Sequence, residues 1–190
     1  MESDELQIVS ACQKGNIEQF GKLYDRYIRK IYDFIYYKTS HQQTAEDLTS
    51  IVFMKALEKI RTFDKHTNFS AWLYRIARNT VIDHYRTQKF GVNIDDVWDL
   101  SSNDNLDINF DSREKLKEVK KYLGNLKSEQ RDVIIMRVWQ EMSYSEISAV
   151  IGKSESSCKM TFSRAIRELR QEMPLALFIM FIHINIFVRD

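Results

Sequence analysis

At 190 residues, with 44% hydrophobic and 29% charged side chains, the chain is long enough for one ordinary domain or two small ones and too apolar to be wholly disordered. Five Gly and one Pro are few for a turn-rich β fold, which needs many residues with special backbone angles, and favour long helices joined by few turns. The net charge of +1 hides an asymmetry: residues 92–111 hold six aspartates (Asp95, Asp96, Asp99, Asp104, Asp107, Asp111) and no Lys or Arg, so subtracting that −6 leaves +7 on the rest of the chain. Basic bodies flanking an acidic connector suit a polyanionic partner. Cys12 and Cys158 form no framework that could staple a small secreted fold, and His41, His66, His84 and His183 stand at no metal-ligand spacing. The N-terminus lacks the basic stretch and apolar run of a signal peptide. The expectation is a cytoplasmic protein with reduced thiols, no metal and no cofactor.

Helical periodicity dominates up to about residue 90. Leu6, Ile8, Val9 and Cys12 suggest a short first helix, which Gly15 is placed to end. Asn16 with Gln19 resembles a helix start, and a long segment then runs to Thr39. Its apolar positions Phe20, Leu23, Tyr24, Tyr27, Ile31, Phe34 and Ile35 recur at three- and four-residue steps. Thr44 followed by Asp47 offers a second start, leading through Leu48, Ile51, Val52, Met54, Ala56 and Leu57. A loop over 62–68 comes after it, and Ser70 can cap a helix that carries Trp72 through about Gln88.

Residues 91–111 are polar, rich in Asp, Asn and Ser, and lack sustained periodicity, which reads as a linker between two domains. Helical spacing resumes at Ser112 with Leu116, Val119, Tyr122 and Leu123, and Gly124 closes that helix. Ser128 starts another, with Val133, Ile134, Met136, Val138 and Trp139. The expected fold is all-α: a helical domain over 1–90, an acidic flexible linker over 91–111, a second small helical domain over 112–173 and an apolar tail over 174–190.

Met142 to Arg170 carries the sharpest signal. Ser143 and Glu146 make a capping box, S-x-x-E, which satisfies free amides at a helix start. Ile147, Val150 and Ile151 form the buried side of that short helix; Gly152-Lys153-Ser154 is a tight turn, with Ser154 capping a second, longer helix. In that helix Cys158, Phe162, Ala165, Ile166 and Leu169 share one arc. Ser156, Ser157, Met160, Ser163, Arg164 and Arg167 share the opposite arc, with Lys159 at its edge. An α-helix fits the DNA major groove, so a helix-turn-helix would give Ser156, Ser157, Lys159 and Met160 to base edges and Arg164 and Arg167 to phosphates. The alternative is two ordinary helices packed at an angle with a solvated charged face.

These residues resemble a family. Tyr144-Ser-Glu-Ile-Ser-Ala-Val-Ile-Gly152, continuing to Ser163-Arg-Ala-Ile-Arg-Glu-Leu-Arg170, is similar to the second promoter-binding domain of extracytoplasmic-function (ECF) sigma factors of bacterial RNA polymerase. Thr44-Ala-Glu-Asp-Leu48 through Phe53-Met-Lys-Ala56, then Phe69-Ser-Ala-Trp-Leu-Tyr-Arg-Ile-Ala-Arg-Asn79, is similar to their first domain. Two matches in the right order, over roughly residues 10 to 171, are far more specific than either alone. The resemblance implies a promoter-specificity subunit without catalysis, with core RNA polymerase and promoter DNA as partners. It also implies an anti-sigma factor, in this family often membrane-bound.

By the same resemblance, the helix with Asp47 grips the clamp helices of the polymerase β′ subunit through Asp47, Ser50, Ile51 and Met54. The family commonly has a Gln and an acidic residue where this chain has Ser50 and Ile51, and Asp47 could equally be a carboxylate favoured at a helix start. The helix from Trp72 to Arg86 would read the minus-ten element. Its own spacing puts Arg75, Arg78, Asn79, Arg86 and Lys89 on one arc, interrupted by Ile82, and Leu73, Ile76, Ala77 and Thr80 on the other. Cations there can neutralise phosphates, and Asn79 offers a donor and an acceptor together. The loop before it, including His66 and Asn68, would pocket a base flipped out of the melted duplex. Such extrusion costs a few kcal/mol that contacts to the base must offset. Phe63, Phe69, Trp72 and Tyr74 invite stacking on single-stranded DNA, with the core as the other home for Trp72 and no preference for Tyr74. The acidic linker is either a soluble tether or a nucleic-acid mimic that occupies polymerase channels.

The tail 175–188 is apolar at twelve of its 14 positions, too short for a bilayer span, which needs about 20. It could pack on the second domain, cover a partner site or rest against a membrane surface; packing is the first expectation. Two other functions stay in view. One is a stand-alone helix-turn-helix regulator that binds its operator without polymerase. The other is an aspartate-dependent enzyme, disfavoured because those aspartates sit in a linker and no phosphate loop, nucleophile elbow or zinc motif is present.

Overall fold

The structure, a computed structural model, describes residues 2–88, 118–119, 121–179 and 181. All secondary structure among them is helical. The linker 91–111 and its six aspartates lie outside the described residues, as do Lys89, Met180 and residues 182–190.

The first unit holds four helices: α1 (Glu2–Gln13), α2 (Phe20–Thr39), α3 (Gln42–Lys59) and α4 (Phe69–Gln88), with 3₁₀ turns at Ile17–Gln19 and Ile60–Thr62. Gly15 takes φ +101 after α1, the left-handed stop its position predicts. Ser40 does the same after α2 at φ 53, donating its N–H to Tyr36 O at 2.8 Å. Two helix starts differ from expectation. α3 begins at Gln42, with His41 Nδ1 accepting the Thr44 N–H at 3.2 Å, so Asp47 lies beyond the first turn and the helix-start account of that carboxylate falls. α4 begins at Phe69, and its cap is Asn68, whose Oδ1 accepts the Ala71 N–H at 2.9 Å, not Ser70. In both cases an acceptor side chain nearer the preceding turn reaches the free amide first.

Leu23, Ile31, Phe34, Ile35, Val52, Ile60, Leu73 and Ala77 are fully buried and form the centre of this unit. Tyr24 leaves the expected apolar stripe: it is exposed, in an edge-to-face pair with Phe53 at 4.8 Å between ring centres. Phe63, Phe69 and Tyr74 are core residues, which removes them from the surface available for base stacking. Trp72 is half-buried against Phe63 and Phe69, at 5.1 and 5.4 Å between ring centres.

The second unit holds helical residues 121–125, then α5 (Ser128–Val138), α6 (Tyr144–Ile151) and α7 (Glu155–Glu172). Gly124 stays within its helix and does not end it. The end is held by Arg131, which donates to the carbonyls of Leu123, Gly124 and Leu126, each at 2.9 Å. A guanidinium reaching back into a helix C-terminus supplies the donors those carbonyls lack. Met173, in extended backbone before Pro174, stops α7, and a further helical turn spans 175–179. Leu177 and Phe181 are buried there beside Val119, Leu123, Ile134 and Leu169, so the described part of the tail packs on the second unit, while residues 182–188 lie outside the described residues.

Candidate nucleic-acid interface

The helix-turn-helix is built as its residues dictate. Ser143 Oγ accepts the Glu146 N–H at 3.2 Å while Glu146 Oε2 accepts the Ser143 N–H at 2.8 Å, the reciprocal bonds of a capping box. Gly152 turns the chain at φ +78, and Ser154 Oγ caps α7 by accepting the Ser157 N–H at 3.3 Å. Lys153 reaches Glu129 at 2.7 Å, tying the turn to the first turn of α5. Cys158, Ala165 and Leu169 are buried along α7, and Phe162 and Ile166 half-buried. Ser156, Lys159, Met160, Ser163, Arg164 and Arg167 are exposed on its other side, with Ser157 half-buried between. Lys159 lies over the Tyr144 ring at 5.6 Å, with Arg137 over the same ring at 5.0 Å. The exposed arc of α7 is therefore polar and cationic, of a shape and charge suited to a major groove.

In the first unit, Asn79 and Arg86 are exposed on α4, and Leu73, Ala77 and Thr80 are buried opposite. His66 and Asn68 are exposed in the loop before it. That loop is shaped by Asp64, which takes the His66 N–H at 3.0 Å and, through its carbonyl, the Thr67 Oγ–H at 2.7 Å. Gln13 of α1 donates to the carbonyls of Ile60 and Phe63 at 3.0 and 2.8 Å, so the loop rests on a fixed base. Asn68 Oδ1 is committed to its cap, accepting the Ala71 N–H. On α3, Asp47, Ser50 and Met54 are exposed along one line, Met54 at 58%, whereas Ile51 is half-buried and packs on the core.

The other two cations of the α4 arc face the second unit. Arg75 donates to the carbonyl of Ala149 on α6, its Nε at 3.1 Å. Arg78 Nε bonds Asp132 Oδ2 at 2.7 Å, and Lys38, in the last turn of α2, bonds the other oxygen of that carboxylate. Asp132 is fully buried and Lys38 is 7% exposed. Burial pushes the Lys38 ammonium down despite Asp132, with the charges of Arg78 and Arg131 adding to the effect. Tyr74 donates to Gln140, and Tyr37 stacks on Trp139 at 4.8 Å. Lys38, Asp132, Gln140 and Arg131 are absent from any sequence-level site. The available signal was an Asp at the head of the apolar run Val133–Met136, where an unpaired carboxylate could not be buried.

Both thiols are free and buried, and burial pushes each up, away from reactive thiolate. Among the described residues no group of three or more His, Cys, Asp or Glu is placed to hold a metal, and no helix is long and apolar enough to cross a membrane.

A helical unit with a basic helix and a capped loop, succeeded by a unit ending in a helix-turn-helix, defines a bipartite helical DNA-binding protein. Residues 23–90 match the family model of sigma-70 region 2, and residues 116–169 that of sigma-70 region 4. The chain is 34% identical over 179 residues to the ECF RNA polymerase sigma factor BldN of Streptomyces coelicolor, covering 89% of this chain and 66% of that protein. It is 33% identical over 160 residues to the RNA polymerase sigma factor YlaC of Bacillus subtilis, covering 80% of this chain and 90% of that one. Its fold is similar to that of the sigma factor RpoE of Bartonella quintana in a complex with the anti-sigma factor NepR: TM-score 0.63, 27% identity, 81% of this chain and 96% of that one. The chain belongs to the sigma-70 family of RNA polymerase sigma factors, in its ECF branch, and acts in transcription initiation. The stand-alone regulator reading is thereby set aside.

Proposed function

We propose that the work of this sigma factor is divided by domain: residues 1–90 bind core polymerase and the minus-ten element, 91–111 connect, and 112–173 read the minus-thirty-five element. The observations that carry the assignment are the exposed polar-cationic arc of α7, backed by a buried apolar arc, and Asn79 and Arg86 exposed on α4 opposite its own buried arc. On α7, Ser156, Ser157, Lys159, Met160 and Ser163 face base edges, and Arg164 and Arg167 hold phosphates. In the promoter complex His66, Asn68, Arg75, Arg78, Asn79 and Arg86 of α4 and its loop face the melted minus-ten strand, for which Arg75 and Arg78 must leave their bonds to the second unit. Asp47, Ser50 and Met54, with the half-buried Ile51, dock on the β′ clamp helices. The protein works in the cytoplasm, where polymerase is, and positions DNA without catalysing a covalent step. An anti-sigma factor is a partner; the complex of the similar RpoE with NepR supports this.

The test is run-off transcription with bacterial core polymerase on genomic promoter fragments, including the region upstream of the protein's own gene. Discrete transcripts that depend on the protein are expected; a shift of the same DNA without polymerase, and no transcript, would reverse the assignment. Asn79→Ala is expected to impair open-complex formation and leave polymerase binding intact, since Asn79 is exposed and away from the core. Equal loss of both would make it a folding residue. Arg164→Ala is expected to weaken minus-thirty-five binding across sequences and to lower the slope of log affinity against log salt by about 0.9, the share of one phosphate contact. An unchanged slope would take Arg164 off the phosphate-contact set.

A further inference from the structure

We propose that an ion triad latches the two units into a closed state in which region 4 covers part of the minus-ten face. This rests on the minus-ten role of α4 proposed above. Lys38 and Arg78 come from the first unit, and the carboxylate between them, Asp132, comes from the second and is fully buried. Arg75 adds its bond to the Ala149 carbonyl, and Tyr74 its bond to Gln140. Two of the cations that would meet minus-ten phosphates, Arg75 and Arg78, are thus spent on region 4. Phosphate and Asp132 compete for the same guanidinium.

The latch has one essential member. Among the described residues Asp132 is the anion bonded to both cations, so removing its charge leaves the buried Lys38 and the half-buried Arg78 without that counter-ion. Separation of the units relieves this by returning Lys38 and Arg78 to water. The linker joining the units is long enough to allow separation, since about 20 residues of extended chain span tens of ångströms. A strand that binds only the open state has its affinity reduced by the fraction of molecules that are open. The α7 arc is different. Ser156, Lys159, Met160, Ser163, Arg164 and Arg167 are exposed in the closed state, so the latch masks the minus-ten face and leaves the minus-thirty-five face available.

The experiment uses the full chain without polymerase. Asp132→Asn is compared with wild type by small-angle scattering and by anisotropy on two labelled probes. One is the single non-template strand spanning the minus-ten element of a promoter mapped by run-off transcription; the other is a duplex holding its minus-thirty-five element. The variant is expected to have a larger radius of gyration and to bind the single strand about tenfold more tightly, with duplex affinity unchanged. An unchanged radius overturns the latch. A larger radius with unchanged single-strand affinity overturns the masking. If Asp132→Asn loses its cooperative thermal melt, Gln140→Ala, which removes only the bond from Tyr74, is judged on the same readouts, with about threefold tightening expected. Failure of the minus-ten assignment is distinguishable: it shows as Asn79→Ala holoenzyme opening the promoter like wild type, whatever the latch variants do.

Discussion

Ile147→Ala is expected to lower the stability of the region 4 unit by about 2–5 kcal/mol, the range for truncating a buried aliphatic side chain to alanine. Ile147 is fully buried on α6, in a cluster that joins Val133, Met136, Val150 and Cys158 to the core of the first unit. It therefore holds α6 at its angle to α5 and α7, and that angle is what presents α7 to the groove. Thermal or urea melting of the full chain should show the loss, and affinity for a minus-thirty-five duplex should fall with it. Ile151→Ala provides the control. Sequence spacing places Ile147, Val150 and Ile151 on one buried side, but Ile151 is only half-buried at the end of the helix beside Gly152. Its truncation leaves little cavity and should cost well under half as much. Equal losses at the two positions would mean that α6 is held by its whole apolar face and not by Ile147.

That difference shows where local pattern is sufficient and where it is not. The capping box at Ser143 and Glu146, the left-handed Gly15 and Gly152 and the Ser154 cap are interactions among residues within a few positions of one another, so each was legible in the chain. The caps at His41 and Asn68 are equally local, but several polar residues cluster at each start and only the backbone path decides which side chain meets the amide. The aromatic set Phe63, Phe69, Trp72 and Tyr74 fits a stacking surface and a core equally well by composition. Placement of the 62–68 loop against α1 decides the matter, through bonds from Gln13 to residues 47 and 50 positions away. The contacts between the units are the least legible. Lys38 and Asp132 are 94 residues apart, and neither belongs to a motif. A helical periodicity places Arg75 and Arg78 on one polar arc correctly, yet says nothing of whether solvent, DNA or another helix lies opposite.

Phe181→Ala is expected to lower stability by about 3–5 kcal/mol, as for other large aromatic truncations in a core. Phe181 is 1% exposed, its ring centre 5.6 Å from that of Trp139 in an edge-to-face pair and 6.3 Å from that of Phe178 in a tilted one. Leu177 is buried one turn before it, while Leu175 and Ile179 point outward at 70% and 49% exposure. Leu177 and Phe181 are therefore a piece of the region 4 core, and the cost of losing them falls on folding. Trp139 carries the consequence further, because its ring is edge-on to Phe181 and stacked on Tyr37 of the first unit at 4.8 Å. Removing the Phe181 ring frees Trp139 on one side, so the same variant should also weaken closure and raise the radius of gyration. Deletion of residues 175–190 should have the larger effect on melting, since it also uncovers Val119, Leu123 and Leu169. A deletion variant that melts like wild type would show that the buried contacts of Leu177 and Phe181 add nothing to the fold. The tail's apolar character would then have to be explained by a partner that covers it.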